Sequence, residues 1–296
     1  WDYAITEGRM KPREWDGRIL VPFSPEAPLS GVNRSLQPWQ TLWYRRTLDV
    51  SPRVGFRLLL HFGAVDQMAA VYVNDVLTAE HTGGYTAFSV DITQHLKDTD
   101  NVLTVAVLDG TDTNELSRGK QRTKRGGIWY TPQSGIWQTV WMEWVPDAYI
   151  SALHITPDIQ RGCARITVCS EQDVPCRIGF QGRSIDGMTN HELTVAVDEP
   201  ELWSPESPKL YSFYAVLGSD RVESYFALRS VAAGADADGV PCLMLNGKPY
   251  YHSGVLDQGY WPDGLYTAPS DEALIYDISL MKSMGFNMLR KHIKIE

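Results

Sequence analysis

Residues 245–296 constrain the fold more than any other stretch, because the pattern changes there from strand to helix and back to strand. Asn246-Gly247 stands between two apolar runs and predicts a β-hairpin. Ser270, followed by two acidic residues, predicts a helix start, and Gly285 predicts its end. Residues 286–290 then predict a buried strand. This order indicates the opening unit of a parallel βαβ array.

Residues 1–146 show many short strand patterns and no helical period. The segment DGRILVPFSPEAPLSGV predicts an irregular N-terminal region, and LWYRRTLDV predicts the first clear strand. Three further strands are expected in residues 56–93, with turns at Asn74-Asp75 and Gly83-Gly84. Two more follow in NVLTVAVLDGTD and GGIWYTPQSGIWQTVWMEWVP. Such a series predicts an antiparallel jelly-roll sandwich.

Residues 147–238 predict a second, smaller sandwich, separated from the first by the Pro146-Asp147 break. Its six expected strands, each followed by a turn signal, are ISALHITPDI, CARITVCSE, PCRIGFQG, HELTVAVDEP, KLYSFYAVLGS and SYFALRSVAAG. No pattern in this region suggests chemistry, so we expect it to act as a spacer.

The composition argues against several classes of function. The net charge of −9 argues against nucleic acid or an anionic membrane as a partner. No apolar run approaches the roughly eighteen residues of a membrane span. Ten Trp and fourteen Tyr suit either sandwich cores or platforms beneath sugar rings, and core packing is the expected role of any single ring.

The four cysteines do not have the spacing of a metal site. Cys169 and Cys176 flank SEQDVP and could face each other across a hairpin, which leaves a bridge between them open; we expect free thiols. Phosphate-loop, dinucleotide-type glycine and HisGluXXHis motifs are absent. We therefore expect neither a metal nor a cofactor.

The whole chain resembles glycoside hydrolase family 2, the family of β-galactosidases, β-glucuronidases and β-mannosidases. WYRR, VYVND, GGY, RGKQ and SGIWQ match its sugar-binding domain, and the segment from LNGKPYYHSG to RKHIKIE looks like the first βαβ of its barrel. The resemblance implies a mainly β chain with three parts. These are a jelly-roll sugar-binding domain (1–146), an immunoglobulin-like β-sandwich (147–238) and the start of a truncated catalytic (β/α)₈ TIM barrel (239–296).

The resemblance implies retaining hydrolysis of β-linked glycosides in carbohydrate metabolism, in a β-galactosidase-like enzyme. Retention needs two carboxyl groups about 5 Å apart. The family supplies both as Glu residues on later barrel strands, so we assign no catalytic residue in residues 1–296 and expect this chain alone to be inactive. Glu296 is expected to be structural or solvated.

Three groups of substrate-binding candidates follow from the resemblance. The first is Asp257, Gln258, Tyr260 and Trp261, which come after the first barrel strand, at the face where barrel active sites form. Carboxylate and amide groups suit sugar hydroxyls, and a Trp suits a ring face. The alternative is a loop packed on the sandwich. A subgroup of β-galactosidases has His where this chain has Gln258, so its contacts do not carry over.

The second group is Arg290, at the end of the next strand, with Lys291, His292 and Lys294 as weaker candidates. The family has an Arg at the matching position, near its catalytic carboxylates, where it could lower their pKa. The alternative for Arg290 is a structural ion pair.

The third group is the loop DGTDTNELSRGKQ, which in the family reaches the barrel mouth. Asp112 aligns with an Asp that contacts sugar hydroxyls, and a solvated loop is the alternative. Other candidates, beside Asp112 or at the same mouth, are Asp109, Arg118, Lys120, Gln121, Asp66 and Gln67.

Two rival functions stay open, a non-catalytic carbohydrate-binding module and a protein-interaction sandwich. Neither needs the strand–helix–strand unit. The expected partner is a β-glycoside carbohydrate. The sequence leaves open the sugar, the linkage, homo-oligomer formation and the compartment, including removal of a signal peptide before Trp1.

Overall fold

A computed structural model describes residues 1–294, and Glu296, singled out above, lies outside the described residues. The chain divides into two compact units, one of residues 1–144 and 254–296 and one of residues 145–253. The three-part division made from the sequence stays a prediction.

The first unit contains a β-sandwich. Its strands are β1 (Asp2–Glu7), β2 (Gly17–Arg18), β3 (Gln40–Leu48), β4 (Phe56–Phe62), β5 (Val65–Asp66), β6 (Met68–Val73), β7 (Val76–Thr82), β8 (Phe88–Asp91), β9 (Asn101–Leu108), β10 (Gly135–Ile136) and β11 (Val140–Pro146). One sheet has the strand order β2-β1-β3-β9-β6-β7, and shorter sheets are β11-β4-β8 and β10-β5. Alternate residues of these strands are buried and form one core that includes Leu42, Tyr44, Leu60, Phe62, Val71, Val105 and Ile136.

Asn74 and Asp75 form the predicted turn between β6 and β7, with φ of 52° and 68°. Asn and Asp adopt positive φ more readily than most residues, which explains this hairpin. The expectation of an irregular N-terminal region was wrong at its start. β1 pairs antiparallel with β3 over six residues, because Tyr3 and Ile5 pack against the core from that edge.

The second unit contains a smaller sandwich and a short additional sheet. Its strands are β12 (Ala152–Asp158), β13 (Cys163–Cys169), β14 (Pro175–Phe180), β15 (Arg183–Met188), β16 (Glu192–Ala196), β17 (Tyr211–Leu217), β18 (Asp220–Phe226), β19 (Val231–Ala235), β20 (Pro241–Leu245) and β21 (Lys248–Pro249). The sheets are β12-β13-β16, β15-β14-β17-β18 and β19-β20-β21. The sequence pattern did not show β15, because its outward residues are polar and Gly187 interrupts it.

Asn246 and Gly247 form the predicted two-residue turn between β20 and β21. Both have positive φ, 53° and 73°, as a type I′ turn requires. All four cysteines are free thiols.

The predicted strand–helix–strand unit is present within the first unit. β22 (Gly254–Asp257) and β23 (Met288–Lys291) pair in parallel, and α1 (Asp271–Ser283) lies between them in sequence. The Ser270 hydroxyl accepts the Ala273 N–H, and Gly285 ends the helix with φ of 87°. No helix in residues 1–294 is long and apolar enough to span a membrane.

The expectation that the second of these strands is buried was wrong: Arg290 and Lys291 are exposed, and its other residues are only partly covered. No residue of α1 is buried, and Ile275, Tyr276 and Ile278 are more than half exposed. Met288 and Leu289 of β23, and Ala273, Leu274 and Met281 of α1, are partly buried, so both elements are only partly covered by described residues.

Candidate functional site

The candidate site begins at the carboxyl ends of β22 and β23, which meet because the strands are parallel. Asp257 and Lys291 lie side by side there, and the Lys291 ammonium donates to Asp257 Oδ2 at 2.8 Å. The Gly259 N–H donates to Oδ1 at 2.7 Å. Partial burial raises the pKa of Asp257, but these hydrogen bonds and the charges of Lys291 and Lys294 outweigh it and lower the pKa below its ordinary value. Asp257 is therefore an ionised acceptor.

Lys294 fixes the loop that follows β22. Its side chain is 3% exposed, and Nζ donates to the carbonyl oxygens of Gly259 and Tyr266, each at 2.7 Å. A Cβ at position 259 would meet Lys294 Nζ at 2.7 Å, so only glycine allows this close approach. Lys294 thus supports the loop rather than facing a substrate.

A series of aromatic rings joins this loop to the first sandwich. Tyr260 packs between Tyr130, at 4.3 Å between ring centroids, and Tyr266, at 4.9 Å. Tyr266 is fully buried against Trp137, and its hydroxyl lies 3.0 Å from that of Tyr85. These contacts hold the loop that follows β22 against the first sandwich.

A buried hydrogen-bond network runs beneath the rings. The Tyr266 N–H donates to Gln133 Oε1, the Gln133 N–H donates to Gln121 Oε1, and Gln121 Nε2 donates to Asp66 Oδ2 at 2.9 Å. Burial is the largest of the effects that raise the pKa of Asp66 well above its ordinary range, and the charge of Asp109 adds to it. Asp66, Gln121 and Asp109 are thus buried in the described chain and are not exposed contacts.

Gln258 and Trp261 are partly buried, and each has a polar atom without a hydrogen-bond partner among the described residues, Gln258 Oε1 and Trp261 Nε1. Buried polar atoms normally have partners, so such atoms mark a place where a ligand could bind. Arg290 is exposed and forms no ion pair within residues 1–294. Both the substrate-site role of Arg290 and a structural ion pair within a barrel stay predictions.

Asp112 accepts two hydrogen bonds within its own loop. Its Oδ1 accepts from the hydroxyl of Thr123 at 2.6 Å and from the Thr123 N–H at 3.2 Å. The Thr123 hydroxyl is the largest cause of a lowered pKa for Asp112. Oδ2 of Asp112 takes part in neither bond.

The loop that contains Asp112 reaches the end of β23. A Cβ at Gly119 would lie 2.8 Å from the Ile293 carbonyl oxygen, which shows how closely the two segments approach. Desolvation lowers the pKa of His292, and the positive charges of Arg290 and Lys120 lower it further. The charges of Lys120 and Arg290 therefore both act on His292. Tyr130 and Tyr266 belong to the same place and were not singled out from the sequence, in which they appear as ordinary aromatic residues of a loop.

Comparison with known proteins bears on this arrangement. Residues 25–138 match the family described as "Glycosyl hydrolase 2 galactose-binding domain-like", and residues 148–229 match "Glycosyl hydrolases family 2". The chain belongs to glycoside hydrolase family 2. The two matched ranges together cover well over half of it.

Family 2 relatives match along most of this chain. A β-galactosidase of Thermoanaerobacter pseudethanolicus is 28% identical over 278 residues, which are 84% of this chain and 36% of that protein. A putative β-glucuronidase of Formosa agariphila is 27% identical over 94% of this chain and 34% of that protein. The chain thus spans about a third of the length of these relatives.

Solved structures of the family have the same fold. The β-glucuronidase of Faecalibacterium prausnitzii superimposes with a TM-score of 0.76 at 22% identity, over 98% of this chain and 54% of that chain. A β-glycosidase from Bacteroides vulgatus gives a TM-score of 0.74 at 22% identity, over 98% of this chain and 40% of that chain. At this level of identity the likeness concerns the fold.

Proposed function

We propose that this chain is the N-terminal portion of a retaining, β-galactosidase-like glycosidase. In this proposal the chain supplies substrate-binding residues and not the catalytic carboxylates. The observation that carries the proposal is the parallel pair β22–β23, whose carboxyl-end residues pack against the loop of a family 2 sandwich. A free-standing carbohydrate-binding module has no use for this pair.

The described ends of β22 and β23 support the proposal that this chain supplies substrate-binding residues and not the catalytic carboxylates. Retention needs an acid/base and a nucleophile about 5 Å apart. Asp257 is the only carboxylate at the ends of β22 and β23 within the described residues, and it is paired with Lys291. A single ion-paired carboxylate cannot fill both roles, so the catalytic pair would come from later strands of the barrel.

The binding roles follow from which atoms are free to accept or donate. In the proposal, Gln258 Oε1 and Trp261 Nε1 bond sugar hydroxyls, which would satisfy atoms that now have no partner. Asp112 uses Oδ2 for the same purpose, and Asp257 accepts through its remaining lone pairs. Arg290 orients an anionic group, because its guanidinium is exposed and not in an ion pair.

We expect the 296-residue chain to release no 4-nitrophenol from 4-nitrophenyl β-glycosides, whereas the polypeptide extended by its downstream coding sequence releases it with retention. The reason is that removing both carboxylates removes the chemistry and not merely the binding. Absorbance assays and proton NMR of the first-formed anomer measure the two results. Two results would contradict the proposal. One is turnover by the 296-residue chain that is abolished by a substitution within that chain, and the other is an extended protein that is inactive.

Replacing Trp261 with alanine should weaken binding of a β-galactoside to the 296-residue chain by about three- to tenfold, since an aromatic contact contributes about 0.5–1.5 kcal/mol. Isothermal titration calorimetry measures this. The control is Trp39→Ala, because Trp39 is an exposed tryptophan, at 61%, that lies just before β3 rather than in the site. Equal losses in both variants would remove Trp261 from the site.

A further inference from the structure

The loop of residues 118–125 carries an unusual charge. Its sequence, RGKQRTKR, has five cations and no acid, although the whole chain has 36 acidic and only 27 basic residues. None of these five side chains forms an ion pair within residues 1–294, and neither does Arg290. We call this set of six side chains the cationic rim: Arg118, Lys120, Arg122, Lys124, Arg125 and Arg290.

Neutral groups, not carboxylates, contact Lys120, Arg122 and Arg125. The Arg122 guanidinium lies 3.9 Å from the centroid of the Trp129 ring, and Lys120 Nζ lies 5.9 Å from that of Tyr130. Arg125 donates to the Thr131 hydroxyl at 3.0 Å. An aromatic face orients a cation without neutralising it, so the rim keeps its full charge.

Two of the arginines also have unused donors. The Nε atoms of Arg118 and Arg122 are buried and have no hydrogen-bond partner among the described residues. A buried N–H of a guanidinium without an acceptor is costly, and an anion supplies the acceptor. Acids near the loop already accept hydrogen bonds from other residues: Asp66 Oδ2 accepts from Gln121, and Asp112 Oδ1 accepts from Thr123. The charge of Arg118 contributes to the lowered pKa of Asp112.

The rim borders the place where a sugar would stack. Lys120 approaches Tyr130, which packs on Tyr260 at 4.3 Å, and Gly119 closely approaches the backbone that follows Arg290. Cations, aromatic faces and the strand ends thus meet in one region of the first unit.

We propose that the cationic rim binds the acidic substituents of a glycan, a uronate carboxylate or a sulfate ester, and so makes acidic glycans the preferred ligands of this chain. Both groups present several oxygen atoms, with which an arginine guanidinium can form two parallel hydrogen bonds. The inference rests on the proposed function only in taking a β-linked glycan as the ligand.

The test is calorimetry on the intact 296-residue chain with three oligosaccharides of equal length: one neutral, one containing uronate and one sulfated. The expected result is at least tenfold tighter binding of an acidic oligosaccharide than of the neutral one, with an affinity that falls as salt rises. Whichever acidic oligosaccharide binds identifies the source of the anion. Equal affinity for all three, or no binding of any, overturns the inference.

Two double variants distinguish an effect of the cationic rim from an effect of positive charge elsewhere on the chain. Lys120→Met with Arg122→Gln should remove about tenfold or more of the affinity for the acidic oligosaccharide, reduce its salt dependence and leave binding of the neutral one unchanged. Arg34→Gln with Lys97→Met removes the same charge outside the rim and should leave all three affinities unchanged. Equal losses in the two double variants overturn the inference.

The two proposals fail separately. If the chain binds acidic and neutral oligosaccharides equally but the extended protein hydrolyses β-glycosides, the inference about the cationic rim is wrong and the proposed glycosidase function stands. If binding of acidic oligosaccharides depends on the cationic rim but the extended protein is inactive, the inference about the rim stands and the proposed glycosidase function is wrong.

Discussion

Gly135→Ala is expected to destabilise the first sandwich by about 3–5 kcal/mol, which combines positive-φ strain with overpacking of a buried core. Gly135 has a φ of 80° in β10, and a Cβ there would lie 2.1 Å from the Tyr44 hydroxyl oxygen and 2.9 Å from a methyl of Leu42. Tyr44 is fully buried, and its hydroxyl accepts the Ile136 N–H at 3.1 Å. In the variant, Tyr44 cannot move away from the added methyl group without losing this hydrogen bond. Both the backbone at position 135 and the Tyr44 side chain are therefore strained.

Gly55→Ala is the matched control, because Gly55 has a φ of 79° and nothing within 4 Å of the added methyl. It should cost only the strain of a positive φ, about 1 kcal/mol. Urea unfolding followed by tryptophan fluorescence gives both free energies of unfolding. Similar losses in the two variants would show that the contact with Tyr44 relaxes freely.

Stability of the wild-type chain should fall as the pH rises from about 5 to about 8, and Glu26→Gln should remove much of this dependence. Glu26 is buried, which raises its pKa to about 8 despite the N–H groups of Leu36 and Ser134 that donate to it. The Ser134 hydroxyl lies 3.2 Å from Glu26 Oε1 and donates to Asp109 Oδ2 at 2.8 Å. A protonated Glu26 can donate to this hydroxyl, whereas an ionised Glu26 competes with Asp109 for its single proton.

The sign follows from proton linkage. Between the ordinary pKa of a glutamate, near 4.5, and the folded value, near 8, the folded state binds the extra proton, so raising the pH favours unfolding. One proton corresponds to about 1.4 kcal/mol for each pH unit, which sets an upper limit on the order of 4 kcal/mol for the change in stability from about pH 5 to about pH 8. Glu26→Gln should therefore match the wild type near pH 5 and exceed its stability near pH 8.

Urea unfolding at a series of pH values measures this effect. Glu115→Gln, in an exposed position, is the control and should keep the wild-type slope. Burial also raises the pKa of Asp66 and Asp109, so a smaller slope of the same sign should remain in the Glu26 variant. A wild-type chain that becomes more stable between pH 5 and 8 would show that Glu26 is ionised in the fold.

Features encoded within a few neighbouring residues could be predicted from the sequence. The turns at Asn74-Asp75 and Asn246-Gly247 need positive φ, which these residue types adopt at low cost. The cap at Ser270 and the stop at Gly285 depend on single side chains beside the helix ends. Alternation of apolar residues gave most strands of both sandwiches, and it failed at β1 and β15, where the polar residues obscure the period.

Burial in the barrel-like segment could not be predicted in this way. The sequence suggested a buried strand at residues 286–290, but burial depends on which other elements lie against it, and described residues cover β23 and α1 only in part. Lys294 shows the opposite case. A lysine is normally exposed, yet this one is buried because two carbonyl oxygens converge on it.

The sequence by itself determined the family, the strand-rich character, and the candidates Asp257, Gln258, Trp261, Arg290 and Asp112. Only the tertiary structure decided their surroundings. The bond from Gln121 to Asp66 joins residues 55 positions apart, and that from Tyr266 to Gln133 joins residues 133 positions apart. Such contacts arise when strands pair and loops cross, so neither residue's local sequence specifies its partner. The same holds for the cationic rim, because the charge pattern of residues 118–125 is local, but its approach to the end of β23 exists only in the folded chain.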